Sequence, residues 1–133
     1  MKIGLCVTGS FCTLKNIIAV LKTIVDDGHD VLPIFSYNVS NFDTRFSKAK
    51  DFEDDIMALT GKVPIKTIVD AEPMGTSKSV DLLLVAPCTG NSLSKIAHGI
   101  TDTPVTMAVK ATLRNNKPVV LSVSSNDALG ANA

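Results

Sequence analysis

The sequence predicts an α/β protein in which a parallel sheet is covered by helices on both faces. Short apolar runs alternate with stretches whose apolar residues recur at helical spacing, and such alternation supplies the crossovers that parallel strands need. One run, VDLLLVAP at residues 80–87, is aliphatic almost throughout, as expected for a central strand covered on both sides. The segment that follows, APCTGNSLSKIAHGITD at 86–102, passes through proline, hydroxyl, glycine and amide residues before a helix resumes. A plain linker would not need that set of groups at one strand end.

Taken in order, KIGLCVTG at 2–9 reads as a nearly continuous apolar strand. Leu14, Ile17, Ile18, Leu21, Ile24 and Val25 then mark a helix, with Ser10 or Thr13 able to cap it and Gly28 placed to end it. DVLPIF at 30–35 is a second strand, followed by the polar, aromatic-bearing stretch SYNVSNFDTRFS. Phe52, Ile56 and Leu59 mark an amphipathic helix closed by Gly61, and KTIVDAEPMG reads as one or two helical turns stopped by Pro73. After the central strand come the helices SLSKIAHGI and PVTMAVKATLRNN, the second with proline at its first position, and then KPVVLSV as another buried strand. The chain of 133 residues suits a single domain, 1–133. It stops soon after a strand, at NDALGANA, so the last elements of the fold are expected to be missing.

Composition excludes several classes of function. Thirteen basic residues balance thirteen acidic ones with no basic cluster, and there is one Tyr and no Trp, so nucleic acid is not an expected partner. No apolar run approaches a membrane span, and the first residues do not make a secretory leader. A cytoplasmic protein with a small-molecule partner is expected. Cys6, Cys12 and Cys88 lack metal-ligand spacing and are an odd number, which argues against zinc and disulfides. Cys6 reads as a small core residue, with Cys12 and Cys88 in loops. A Cys–His pairing is unsupported, since His29 lies in a turn and His98 in a helical pattern.

In an open parallel sheet, ligands bind beyond the carboxyl ends of the strands. That rule gathers TGSFCT at 8–13, SYNVS at 36–40, APCTGNS at 86–92 and SVSSND at 122–127 into one candidate site. Gly9 permits close approach to the backbone, and Ser10 with the next N–H groups can receive a phosphate at a helix start. There is no G-x-G-x-x-G and no G-x-x-x-x-G-K-[ST], so neither a dinucleotide fingerprint nor a P-loop is present. Asn91 offers both donor and acceptor to a hydroxylated chain or a phosphate, although Thr89 or Asn91 serves equally as a helix cap. Asp102 and Thr103 before Pro104 also read as a cap. Lys95 and His98 receive no role.

The stretch APCTGNSLSKIAHGITD resembles a flavoprotein family that includes the homo-oligomeric flavin-containing cysteine decarboxylases, which show A-P-x-[ST]-x-N-[ST]-x-x-K-x-[AC]-x-G-x-x-D after a central strand. The resemblance implies a Rossmann-like, flavodoxin-like three-layer sandwich and FMN bound at the interface between subunits of a homo-oligomer. Carried over by motif, the cofactor-binding positions are Gly9, Ser10, Ser36, Pro87, Thr89 and Asn91, with Asp102 near the cofactor or a neighbouring protomer. The decarboxylases carry a P-A-M-N signature and a flavin-side histidine; SVSSND keeps Asn126 alone, and no histidine matches. Along its whole length the chain is similar to one branch of the family, the B subunits of a two-subunit enzyme that makes pyridine-2,6-dicarboxylate in the mother cell of spore-forming bacteria. TGSFCT, SYNVSNFDTRF, AEPMG and SSNDALG carry that likeness. It implies loss of water and two-electron oxidation of a hydroxylated tetrahydrodipicolinate, an A subunit as partner, and NAD(P) on that partner. Arg45 is then a candidate clamp for a substrate carboxylate, or a solvent-exposed loop arginine. A flavin-dependent decarboxylase and a non-catalytic partner of the A subunit are the competing readings.

Overall fold

The structure, a computed structural model of the chain, describes residues 1–9, 14–41, 48–74 and 80–124. Ser10, Cys12, Thr13, Arg45 and Asn126 lie outside the described residues.

Four strands, β1 (Lys2–Val7), β2 (Asp30–Phe35), β3 (Leu82–Cys88) and β4 (Val119–Val123), form one parallel sheet in the order β2-β1-β3-β4. Helix α1 (Leu14–Asp26) joins β1 to β2; α2 (Tyr37–Asn41), α3 (Ala49–Thr60) and α4 (Ile68–Ala71) lie between β2 and β3; α5 (Gly90–Ala97) and α6 (Pro104–Arg114) lie between β3 and β4. Successive side chains of a strand point to opposite faces, so each strand feeds two cores. Leu5 and Val7 pack with Leu14, Ile17 and Leu21 of α1 and with Phe52 and Ile56 of α3. Cys6, Ile34, Leu83 and Val85 pack with Val105, Ala108 and Val109 of α6. This is the three-layer, flavodoxin-like arrangement expected from the alternating pattern.

Local chemistry explains where the elements begin and end. The hydroxyl of Thr67 accepts from Asp70 N–H at the start of α4, and that of Thr103 accepts from Thr106 N–H in a reciprocal capping box ahead of Pro104. Gly61 closes α3 at φ +69°, a conformation that favours glycine, and its N–H donates to the Met57 carbonyl. The central position of β3 and the burial of Cys6 are as anticipated.

Three expectations are corrected. The last strand is not buried on both sides: Val120 and Val123 are 45% and 43% exposed, because β4 is an edge strand that pairs with β3 and has no second neighbour among the described residues. An aliphatic run reports strand character, not position in the sheet. Residues 37–41, read as part of a polar loop, form the short helix α2, which Ser36 caps and the buried Val39 anchors. Cys88 is not in a loop but is the last residue of β3 and fully buried. Unanticipated is the bridge from Ile65 to β2, in which Phe35 N–H donates to Ile65 O at 2.8 Å and Ile65 N–H to Pro33 O at 2.9 Å.

Candidate functional site: a polar cleft at the strand ends

The chain leaves β1 to place β2 on one side and later returns to place β3 on the other, so the connections after β1 and β3 diverge and open a crevice at their carboxyl ends. Thr8, directly after β1, is buried. Its Oγ1 donates to the Pro87 carbonyl at 2.6 Å and accepts from Thr89 N–H at 3.0 Å, while its own N–H donates to Pro87 O at 3.3 Å. Pro87 has no N–H to contribute to the sheet, and the β3–β4 register shifts between Val85 and Cys88 around it. At the end of β2, Ser36 N–H donates to Val7 O at 3.0 Å, and its Oγ accepts from Val39 N–H at 3.3 Å. These bonds bring three strand ends to one place.

Thr89 rather than Asn91 caps α5: its Oγ1 accepts from Ser92 N–H at 3.1 Å and also bonds the Ser92 hydroxyl at 3.0 Å. Asn91 is thereby free of capping duty and exposed. The cleft between these elements, of about 280 Å³, is lined by Thr8, Gly9, Ser36, Thr89 and Asn91, together with Tyr37, Asn38, Ser92, Lys95 and Thr103. Its lining among the described residues is hydroxyl, amide, glycine and a single ammonium. Asp102 does not line it; both its carboxylate oxygens accept from Lys95 Nζ, at 3.0 and 3.1 Å. Pro87 contributes through its carbonyl, held by Thr8, rather than as a lining side chain. Ser124 N–H donates to Cys88 O at 2.9 Å, which sets the start of the fourth loop beside the end of β3.

The structure thus brings together Gly9, Ser36, Thr89 and Asn91 from separate parts of the sequence. Sequence reasoning gathered the loops that hold Thr8, Tyr37, Asn38 and Ser92 without singling these residues out, and left Lys95 and Thr103 outside the site. For Thr8 the signal was its place at the head of TGS; for Lys95 it was the N-[ST]-x-x-K spacing, which sets Asn91 and Lys95 four apart on one helix face.

Among the described residues, the cysteines do not offer a nucleophile. Cys6 and Cys88 are fully buried, and burial raises both thiols above their ordinary value of 9.0. His29 sits beside the amino terminus at the opposite end of β1 from the cleft, its Nδ1 3.2 Å from the Met1 nitrogen. His98 follows α5 with its Nδ1 2.7 Å from the Ser94 carbonyl. No three His, Cys, Asp or Glu side chains come together among the described residues, and no described helix is long and apolar enough to cross a membrane. A separate cavity of about 400 Å³ beside α5 and α6, lined largely by aliphatic groups such as Ile96, Ile100, Val109 and Leu113, shares no lining residue with the cleft.

A flavodoxin-like sheet with a polar cleft at its topological switch point defines a cofactor-binding type of α/β protein, and the chain belongs to the Flavoprotein family, whose pattern matches residues 1–131. Within that class it is similar to the B subunit of dipicolinate synthase from Bacillus subtilis (strain 168), with 46% identity over 131 residues, covering 98% of this chain and 66% of that protein. The crystal structure of the dipicolinate synthase B subunit from Bacillus halodurans C matches with a TM-score of 0.85 at 40% identity, covering 98% of this chain and 67% of that one. The FMN-dependent cysteine decarboxylase SpaF shares the fold, with a TM-score of 0.77 at 22% identity over 98% of this chain and 72% of its own. The chain therefore spans about two thirds of the two dipicolinate synthase chains it matches, 66% and 67%.

Proposed function

We propose that this chain is the flavin-binding part of a B subunit that works with an A subunit to convert a hydroxylated tetrahydrodipicolinate to dipicolinate. The conversion removes one water and then two hydrogens, the latter as a hydride and a proton. The observation that supports it most is the cleft itself: hydroxyls, amides and bare glycine backbone at three strand ends, with Lys95 as the charge. That donor set suits the phosphate and hydroxylated chain of FMN, as well as a dicarboxylate substrate. FMN when bound would supply a two-electron acceptor.

The roles of this chain's own residues follow from their placement. Gly9, Ser10, Ser36, Thr89, Asn91 and Asn126 would hold the cofactor, with Pro87 fixed by Thr8 to shape its pocket and Asp102 acting through Lys95. Arg45 would clamp a substrate carboxylate. No His, Asp or Glu lines the cleft among the described residues, so proton transfer in the loss of water is assigned to the A subunit, together with the NAD(P) site. A cytoplasmic homo-oligomer in the mother cell of a spore-forming bacterium, with the cofactor near an interface between protomers, belongs to the same reading. The likeness to the B subunit of dipicolinate synthase supports it.

The direct test is the colour and content of the purified protein made with adequate flavin supply. Heat release followed by chromatography should yield FMN. Recovery of FAD or NAD, or a protein that neither carries nor takes up flavin, would remove the proposal.

A further inference from the structure

We infer that Lys95 is the anion-binding group of the cleft, its ammonium oriented by Asp102 to receive an anionic oxygen group, phosphate or carboxylate, of the bound ligand. The inference rests on the cleft being a ligand site, as proposed above, and adds which end of it carries charge recognition.

Helix α5 divides its residues cleanly. Leu93 and Ile96 turn to the core shared with α6, whereas Asn91, Ser92 and Lys95 line the cleft. Asn91 and Lys95 are one turn apart on the same face, so an amide and an ammonium stand in line along one wall. Lys95 is the single charged residue among the described lining residues; its carboxylate partner, Asp102, stands outside that lining. The first turn of α5 borders the same cleft and adds the positive end of a helix dipole. Both features favour the same sign of ligand charge.

The pairing with Asp102 fits this role. The two side chains are 25% and 58% exposed, and a pair so placed is screened and adds little to stability. An ammonium carries three donors, so Asp102 can keep the side chain pointed while a donor turns to the cleft. A phosphate or carboxylate entering the cleft meets a positive group already oriented and weakly held.

The test uses the full chain and its Lys95→Gln and Lys95→Arg variants. FMN and riboflavin are titrated by flavin fluorescence, and inorganic phosphate and pyridine-2,6-dicarboxylate by amide NMR shifts of Ser92 and Thr103. Lys95→Gln is expected to weaken at least one anionic probe by about 5- to 20-fold, with Lys95→Arg staying within about 3-fold of wild type. Loss of the preference for FMN over riboflavin assigns Lys95 to the phosphate. Weakened dicarboxylate binding with that preference intact assigns it to a carboxylate. Wild-type affinity of folded Lys95→Gln for every anionic probe overturns the inference and leaves the flavin proposal standing. A wild-type chain that binds neither flavin overturns the flavin proposal, and the phosphate and dicarboxylate titrations then decide Lys95 alone; binding of neither overturns it too.

Discussion

The hydroxyl of Thr8 joins two strand ends that lie 79 residues apart in the chain, donating to the Pro87 carbonyl while accepting from the amide of Thr89. The side chain is buried, so its hydroxyl is satisfied by these two backbone groups rather than by water. Through this one group the turn after β1 and the start of α5 hold a fixed spacing.

Thr8→Val, which keeps the shape and removes the hydroxyl, is expected to lower stability by about 1–3 kcal/mol, because the Thr89 amide loses its acceptor and the Pro87 carbonyl keeps only the longer bond from the Thr8 N–H. Flavin affinity should fall with it. Urea denaturation with and without FMN measures both. A loss under about 0.5 kcal/mol would mean that water replaces the hydroxyl.

Thr89 and Asn91 should separate stability from binding. Thr89→Ala removes the cap of α5 and is expected to destabilise the apo protein by about 1 kcal/mol. Asn91→Ala lies at an exposed site and should leave the apo melt within about 0.5 kcal/mol of wild type. Its effect is expected on FMN, with the Kd raised about 5- to 150-fold. The reverse pattern would return Asn91 to a capping role.

The buried thiols predict an alkaline limit. Burial raises the Cys6 and Cys88 thiols above their ordinary 9.0, so the folded chain keeps their protons to a higher pH than the unfolded chain does. Their contribution is therefore complete below about pH 9 and declines as pH rises above it, by at most about 1.4 kcal/mol per pH unit for each thiol. Urea midpoints between pH 8 and 10 should fall less steeply in Cys6→Ala than in wild type. Both cysteines should also resist alkylation in the native protein at pH 8, as peptide mapping can show.

How far the sequence foretold these sites depends on the range of the interactions involved. β1, β2 and the central β3 are apolar runs, and α1, α3 and α6 are periodic, so all were legible from local pattern. Gly9, Ser36, Thr89 and Asn91 were legible because the strand-end rule needs only the order of elements. The bridge from Thr8 was not, since a threonine after a strand looks the same whether its hydroxyl meets water or residue 87. Lys95 received no role for a similar reason: the cleft it faces exists only once α5 stands beside Ser36 and Thr103. The exposed side of β4 escaped because Val and Leu suit edge and central strands alike.

Activity should require two chains. This chain alone is expected to form little dipicolinate from the product of dihydrodipicolinate synthase, and addition of the A subunit should restore synthesis, followed by ultraviolet absorbance. Full synthesis by the A subunit alone would reduce this chain to an accessory. If both are needed but flavin-free protein works equally well, the chain is a binding partner rather than a component of an oxidoreductase.

The two borders of the sheet are chemically unlike. On the β2 side Ile65 occupies the outward bonds of Pro33 and Phe35, and the proline ring itself offers no donor there. On the β4 side no described strand takes the corresponding bonds. Among the described residues, the border left open to strand pairing is therefore that of β4 rather than the end of β2.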